Sequence, residues 1–101
     1  MAITSQPSAD GQELTIVIQG RFDFSAHQAF RDAYERVNIS PKRYVVDLQG
    51  ATYLDSSALG MLLLLRDHAG GDYARVSLLN CNADVRKILD ISNFQQLFQI
   101  A

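Results

Sequence analysis

The sequence predicts a single α/β domain in which a mixed sheet of four to five strands carries helices mainly on one face. Three observations lead to this prediction. The 101 residues are enough for one ordinary domain and too few for two. Short apolar or β-branched segments alternate along the chain with amphipathic ones, which is the order of strands and helices in an α/β domain. The hydrophobic share of 48% and the charged share of 20% are typical of a globular protein, so we expect one packed core.

The N-terminal part predicts two strands. Residues 2–6 form a short candidate edge strand before a turn at Asp10-Gly11. Leu14–Gln19 is short and β-branched, which favours a strand, and Gly20 ends it. We expect these first strands to pair antiparallel, whereas the helical crossovers that follow imply parallel pairs.

A first helix follows these strands. Ser25 is placed to cap it, and Gln28 lies three residues later, as in a capping box. Charged residues alternate with apolar residues at helical spacing, which predicts an amphipathic helix of roughly 12 residues with one face toward the core. The apolar positions are Ala26, Phe30, Ala33, Tyr34 and Val37. Asn38 and Pro41 stop the helix.

The second half of the chain continues the alternation. Tyr44–Leu48 is almost continuously apolar, which is typical of a strand inside a sheet. A second helix opens at Asp55-Ser56-Ser57 and runs to about His68, before Gly70-Gly71 breaks it. Three further elements are predicted: a strand at Tyr73–Leu79, a helix that opens at Asn82 or Asp84, and a short strand at Leu97–Ile100.

Charge, cysteine usage and hydropathy narrow the function classes. The net charge of −2 lacks the basic excess of a nucleic-acid-binding domain, so we expect no direct nucleic-acid contact. Cys81 is the lone cysteine and no signal-peptide pattern is seen, which predicts a cytoplasmic protein. The longest apolar run, around Met61–Leu65, is far shorter than the ~20 residues of a membrane span. His27 and His68 show no ligand spacing with each other or with Cys81, so no metal or cofactor is expected.

The candidate functional residues lie in the segment that leads from the central strand into the second helix. Asp55 or Ser56 can cap this helix by accepting hydrogen bonds from its free backbone N–H groups. Ser57 then falls in the first turn, where the helix dipole and free N–H groups stabilise an added phosphate. A phosphate at Ser57 adds about −1.5 to −2 charges beside Asp55, which changes docking at little cost to the fold. The alternative interpretation, which is compatible with the first, is that these residues are simply a helix cap.

The run Asp55-Ser-Ser-Ala-Leu-Gly60 resembles the signature of STAS-domain anti-sigma factor antagonists. The resemblance covers nearly the whole chain. Gly20-Arg-Phe-Asp23 is similar to the family's Gly-x-Leu-Asp turn before the first helix, and Val85–Ser92 is similar to its third helix. Two positions depart from the family pattern, because Ala58 stands in place of the usual glycine and Phe22 in place of an aliphatic residue.

The resemblance implies a single STAS domain over residues 1–101 that switches partners and is not an enzyme. In that family, the unphosphorylated protein binds an anti-sigma factor with a serine-kinase fold. This kinase phosphorylates the second serine, which corresponds to Ser57, and a separate serine phosphatase resets the system. The alternative is a STAS module of a lipid-transport, stressosome or ligand-sensing system, because fold does not settle function. A serine hydrolase is disfavoured because the chain has no Gly-x-Ser-x-Gly elbow.

The second helix is too apolar to be buried on every side, so we predict that part of it contacts the partner. One stripe of this helix contains Ala58, Leu62, Leu65 and Ala69, and it is expected to pack into the core. Another contains Ser57, Met61, Leu64 and His68. Met61 and Leu64 are predicted to be partly exposed, and the alternative is that both are buried. The predicted partner surface is completed by Asp23, Asp55, Ser56 and Ser57, with a simple turn role as the alternative for Asp23.

Overall fold

The computed structural model, which describes residues 2–101, confirms the predicted α/β domain as a five-stranded mixed sheet with three α-helices. The strands lie in the sheet in the order in which they occur along the chain. They are β1 (Ala2–Pro7), β2 (Glu13–Phe22), β3 (Arg43–Leu54), β4 (Val76–Leu79) and β5 (Gln99–Ile100). The helices are α1 (His27–Glu35), α2 (Ser56–His68) and α3 (Ala83–Ile91).

The connections place the helices on one face of the sheet. β1 pairs antiparallel with β2, and every later pair is parallel. Each parallel connection moves one strand in the same direction, and such crossovers are almost always right-handed, so the three helices cover the same face. Burial alternates accordingly, because Leu14, Ile16 and Ile18 of β2 are fully buried while Thr15 and Val17 between them are partly exposed.

The core lies between this sheet face and the apolar stripes of the helices. The helical residues that fill it are Phe30 and Tyr34 of α1, Ala58, Met61, Leu62 and Leu65 of α2, and Val85 and Leu89 of α3. Full burial of one large apolar side chain contributes about 1.5–3 kcal/mol relative to exposure, so these stripes fix how each helix lies on the sheet. In the described part of the chain, no helix is long and apolar enough to cross a membrane.

β3 is longer than the sequence predicted. The strand was expected to end at Leu48, but it continues to Leu54 beside the second half of β2. Gly50 permits this close pairing, since a Cβ atom there would lie 2.8 Å from Cγ of Gln19. The register shifts next to this point, as at a β-bulge. The extension carries Asp55 to the far edge of the sheet.

Two predictions near α1 are wrong. Ser25 does not cap the helix, because a 3₁₀ turn at Phe24–Ala26 precedes α1 and Asp23 caps that turn. The carboxylate is the stronger acceptor of the two side chains. Gln28 does not return a bond to the cap, since its amide donates to Asp32 Oδ1 at 2.8 Å.

The C-terminal elements are shorter than predicted. Residues 71–73 form a 3₁₀ turn, so β4 begins only at Val76. Asn82, one of the two candidates, caps α3, because its Oδ1 accepts the Val85 N–H at 2.8 Å. A 3₁₀ turn at Phe94–Gln96 then leads into the two-residue β5.

Candidate functional site

The predicted site lies where β2 and β3 end side by side. Phe22 and Leu54 are paired in the parallel register, so Asp23 and Asp55 leave the sheet as neighbours at its carboxyl edge. The prediction that Asp23 lies near the serine segment is therefore supported by the strand register.

Asp23 and Asp55 each cap a helical turn, and each accepts the hydroxyl of the serine two residues later. Asp55 Oδ1 accepts the Ala58 backbone N–H at 3.0 Å and the Ser57 hydroxyl at 2.7 Å. Asp23 Oδ1 accepts the Ser25 backbone N–H at 3.0 Å and the Ser25 hydroxyl at 2.5 Å. Each is an Asp-x-Ser segment that begins a helical turn after a strand. Of the two predicted caps for α2, the structure shows Asp55.

These hydrogen bonds lower the pKa of both carboxylates. The Ser57 hydroxyl and then the Ala58 N–H hold the pKa of Asp55 below its usual value, against smaller opposing effects of desolvation and of the Asp23 charge. The pKa of Asp23 is lowered chiefly by the Ser25 hydroxyl. Arg21 lies 3.6 Å from Asp23 across an exposed ion pair. At neutral pH the site thus presents two neighbouring negative charges at the edge of the sheet.

The two serines of α2 differ in accessibility. Ser56 is the first residue of the helix and is exposed, whereas Ser57 is half-buried. The Ser57 hydroxyl proton is donated to Asp55, and within residues 2–101 the Ser56 hydroxyl has no side-chain hydrogen bond. Ser56 therefore carries the more accessible of the two hydroxyls.

The prediction for the faces of α2 is half right. Leu64 is 50% exposed, as predicted, and Ala58, Leu62 and Leu65 are buried in the core. Met61 is only 3% exposed, so the prediction that it is partly exposed is wrong. The reason is α1, because Met61 lines the groove between α1 and α2 together with Phe30 and Tyr34.

The exposed face of α2 is centred on the stripe that contains Ser56, and not on the predicted stripe that contains Ser57 and Met61. Leu63 is 38% exposed, and a Cβ atom added at Gly60 would have no neighbour within 4 Å. Spacings of four and three residues place Ser56, Gly60 and Leu63 on one stripe of the helix. Leu64 borders this stripe. We call Ser56, Gly60, Leu63 and Leu64 the docking face of α2.

Two aromatic residues lie exposed beside the aspartates. Phe24 follows Asp23, is 70% exposed and stacks on the His27 ring at 5.6 Å. Tyr53 is 41% exposed, and the Arg21 guanidinium lies 4.5 Å from its ring centroid. Aromatic and arginine side chains are enriched where interfaces concentrate their binding energy. Within residues 2–101, no group of three or more His, Cys, Asp or Glu side chains could hold a metal ion.

Replacing Asp55 with alanine is expected to destabilise the domain by about 0.5–2 kcal/mol, because the cap of α2 is lost. The pKa of Asp55 is lower in the folded state than in the unfolded state. Its contribution is thus present above the unfolded pKa of about 3.9 and is lost as the pH falls through the folded value. Urea denaturation across this pH range measures the effect.

Asp55→Asn is the matched control, because asparagine keeps a capping oxygen without the charge. We expect it to lose less stability than Asp55→Ala at neutral pH. A stability difference between wild type and Asp55→Ala that did not shrink in acid would contradict the capping role.

The chain belongs to the STAS family, since the family model described as "Mlab, STAS domain" matches residues 5–99. A STAS-domain containing protein of Pseudomonas aeruginosa (strain UCBPP-PA14) is 78% identical over the full length of both chains. The fold is similar to that of the anti-sigma factor antagonist SpoIIAA in its unphosphorylated form, with a TM-score of 0.71 at 20% identity, over 99% of this chain and 87% of that chain. It is also similar to a sulfate transporter family protein from Wolinella succinogenes, with a TM-score of 0.73 at 13% identity, over 93% and 80% of the two chains.

Proposed function

We propose that this STAS domain is an anti-sigma factor antagonist controlled by phosphorylation of its Asp55-Ser56-Ser57 segment. The unphosphorylated protein binds an anti-sigma factor with a serine-kinase fold in the cytoplasm. Phosphorylation by that kinase releases the complex, and a separate serine phosphatase restores binding. The chain supplies a binding surface and a phosphate acceptor, while its partners catalyse phosphorylation and dephosphorylation. The observation that carries the proposal is the exposed hydroxyl at the start of α2, beside an aspartate that caps the helix.

Exposure favours Ser56 over Ser57 as the acceptor. A kinase must bring the hydroxyl in line with the γ-phosphate of ATP, so the acceptor must enter the kinase site. Ser56 is exposed and is not held by another side chain of the described residues, whereas Ser57 must first give up its 2.7 Å bond to Asp55. The sequence prediction of Ser57 stays a prediction, and we propose Ser56 in its place.

A phosphate at Ser56 is expected to weaken partner binding because its charge lies beside two aspartates. Asp23 and Asp55 already place two negative charges at this edge of the sheet. The phosphate adds about −1.5 to −2 more at the N-terminus of α2, where the free N–H groups and the helix dipole stabilise it. The fold therefore tolerates the modification, while a partner docked on the same surface must desolvate the added charge.

The docking face of α2 gives the partner an apolar contact next to that charge. Leu63 and Leu64 are exposed, and Gly60 between them and Ser56 leaves the helix backbone bare. Exposed large apolar side chains that are grouped together commonly mark an interface. We infer that the partner packs on Leu64 and Leu63 and approaches the backbone at Gly60, with its polar contacts at Asp23, Asp55 and Ser56.

Phosphorylation mapping tests the proposal. The protein is incubated with its cognate anti-sigma kinase and ATP, and the phosphate is located by mass spectrometry in wild type, Ser56→Ala and Ser57→Ala. We expect the label on Ser56, its loss in Ser56→Ala and its retention in Ser57→Ala. If the label stays in Ser56→Ala and vanishes in Ser57→Ala, the phosphate acceptor is Ser57 and not Ser56. No label on either serine would refute control by this segment.

Replacing Gly60 with alanine is expected to stabilise the domain and weaken partner binding. The helix interior gains about 0.5–1 kcal/mol when alanine replaces glycine, and no atom lies within 4 Å of the new methyl group. In the complex, the same methyl group separates the partner from the helix backbone. Thermal unfolding and titration with the anti-sigma factor measure the two effects. Unchanged affinity in a stabilised variant would show that the partner does not approach Gly60.

The alternative function, a STAS module of a lipid-transport, stressosome or ligand-sensing system, is supported by the likeness in fold to a sulfate transporter family protein. A module of this kind stays bound to the other components of its assembly, and its binding needs no kinase. Affinity capture with wild-type protein distinguishes the two functions. Membrane transport components bound equally by wild type and Ser56→Asp would favour the alternative, and a kinase-fold partner lost in Ser56→Asp would favour the switch.

A further inference from the structure

A cleft of about 500 Å³ lies at the opposite end of the sheet from the serines. It is formed where β3 and β4 begin, whereas Asp55 and Ser56 follow the end of β3. The C-terminal segment closes one side of the cleft, with the side chains of Gln95, Gln96 and Gln99 along its lining. Its volume is within the range of about 300–1,000 Å³ that small-molecule sites occupy.

Two arginines stand next to each other in this cleft. Arg43 and Arg75 directly precede Tyr44 and Val76, which are paired in the parallel register of β3 and β4. The Tyr44 N–H donates to the Arg75 carbonyl at 2.9 Å, which holds the two chain segments together at this point. Adjacent strands are about 4.8 Å apart, so the two arginines extend from neighbouring positions at the start of the strand pair.

Only one of these charges is balanced by a neighbour. Arg43 Nε lies 3.4 Å from Glu13 Oε1, and Glu13 is the register partner of Arg43 on β2. Arg75 has no ion pair within residues 2–101 and lines the cleft. The residues that line the cleft include one glutamate and two arginines, a formal excess of one positive charge. An oxyanion bound here would balance that excess.

We propose that this cleft binds a small anionic molecule through a phosphate or carboxylate group. The planar guanidinium fork of Arg75 matches either oxyanion in a bidentate contact. Glutamine side chains both donate and accept hydrogen bonds, so Gln95, Gln96 and Gln99 suit the polar body of the same molecule. The site is separate from the serine segment, and it stands whether or not the proposed phosphorylation occurs.

The test is a titration of the ¹⁵N-labelled full chain with inorganic phosphate, glycerol 3-phosphate and succinate, followed by NMR at constant ionic strength. We expect saturable shifts confined to residues of the cleft for at least one probe, and the preferred probe identifies the oxyanion. Arg75→Gln is expected to weaken binding at least fivefold. Glu13→Gln is expected to strengthen it severalfold, because Arg43 is then released toward the anion.

Lys87→Gln is the matched control, since it removes one exposed positive charge from α3, outside the cleft. It should leave the affinity unchanged. Equal weakening in Lys87→Gln and Arg75→Gln would show a general charge effect and overturn the site. Shifts that do not saturate, or that spread over the whole surface with all three probes, would overturn it as well.

Discussion

Replacing Ser56 with aspartate is expected to weaken binding of the anti-sigma factor at least a hundredfold, which corresponds to about 2.7 kcal/mol. Ser56→Ala is expected to bind as wild type does. The aspartate adds a carboxylate beside Asp23 and Asp55, whose pKa values are already held low and which are therefore charged. A partner that covers this edge must desolvate a third negative charge without a new counter-charge. Isothermal titration with the purified anti-sigma factor measures the difference.

Ser40→Asp provides the matched control for this prediction. Ser40 is exposed in the connection between α1 and β3, so its replacement adds the same charge away from the docking face. We expect less than a twofold change in affinity. If Ser40→Asp lowers the affinity as much as Ser56→Asp does, the net charge of the protein controls binding, and the position of the charge does not.

Leu62→Ala is expected to lower the free energy of unfolding by about 2–5 kcal/mol. Leu62 is fully buried against the sheet, so its truncation removes apolar contact and leaves a cavity. Domains of this size are stable by only about 5–15 kcal/mol, so the variant loses a large part of its stability. Chemical denaturation with urea measures the loss. A lower midpoint with an unchanged slope of the free energy against urea concentration shows that stability itself has changed.

Leu64→Ala is the control two residues away on the same helix. Leu64 is half exposed, so we expect a stability loss of less than about 1 kcal/mol together with at least tenfold weaker partner binding. The two variants thus separate the core face of α2 from its docking face. A Leu64→Ala variant as unstable as Leu62→Ala, or one that binds normally, would contradict the assignment of the faces.

The sequence predicted the elements of the fold well because apolar periodicity reports which face is buried. Leu14–Gln19 alternates between buried and partly exposed residues, and α2 begins and ends close to where its cap and the Gly70-Gly71 break place it. The length of β3 was missed because Gln49–Leu54 contains polar residues and a glycine. Its pairing depends on the neighbouring strand β2. Local composition carries no information on that pairing.

The site was predicted only in part, for a similar reason. Asp55 follows from cap chemistry, which is local, and the register of β2 and β3 then brings Asp23 beside it. The burial of Met61 depends on where α1 packs, and the difference between Ser56 and Ser57 depends on one hydrogen bond to Asp55. A helical wheel of α2 alone shows neither the packing of α1 on Met61 nor the hydrogen bond between Ser57 and Asp55. The arginine cleft depends on strand register and on the C-terminal turn, so it also required the structure.

Charge gained at the first turn of α2 is expected to abolish docking while the domain stays folded. The most direct measurement compares enzymatically phosphorylated and unphosphorylated protein, each titrated with the anti-sigma factor and each melted by circular dichroism. We expect the phosphorylated protein to melt within a few degrees of the unphosphorylated one and to bind the anti-sigma factor no longer. Equal affinity of both forms, or loss of binding only because the phosphorylated domain unfolds, would contradict this expectation.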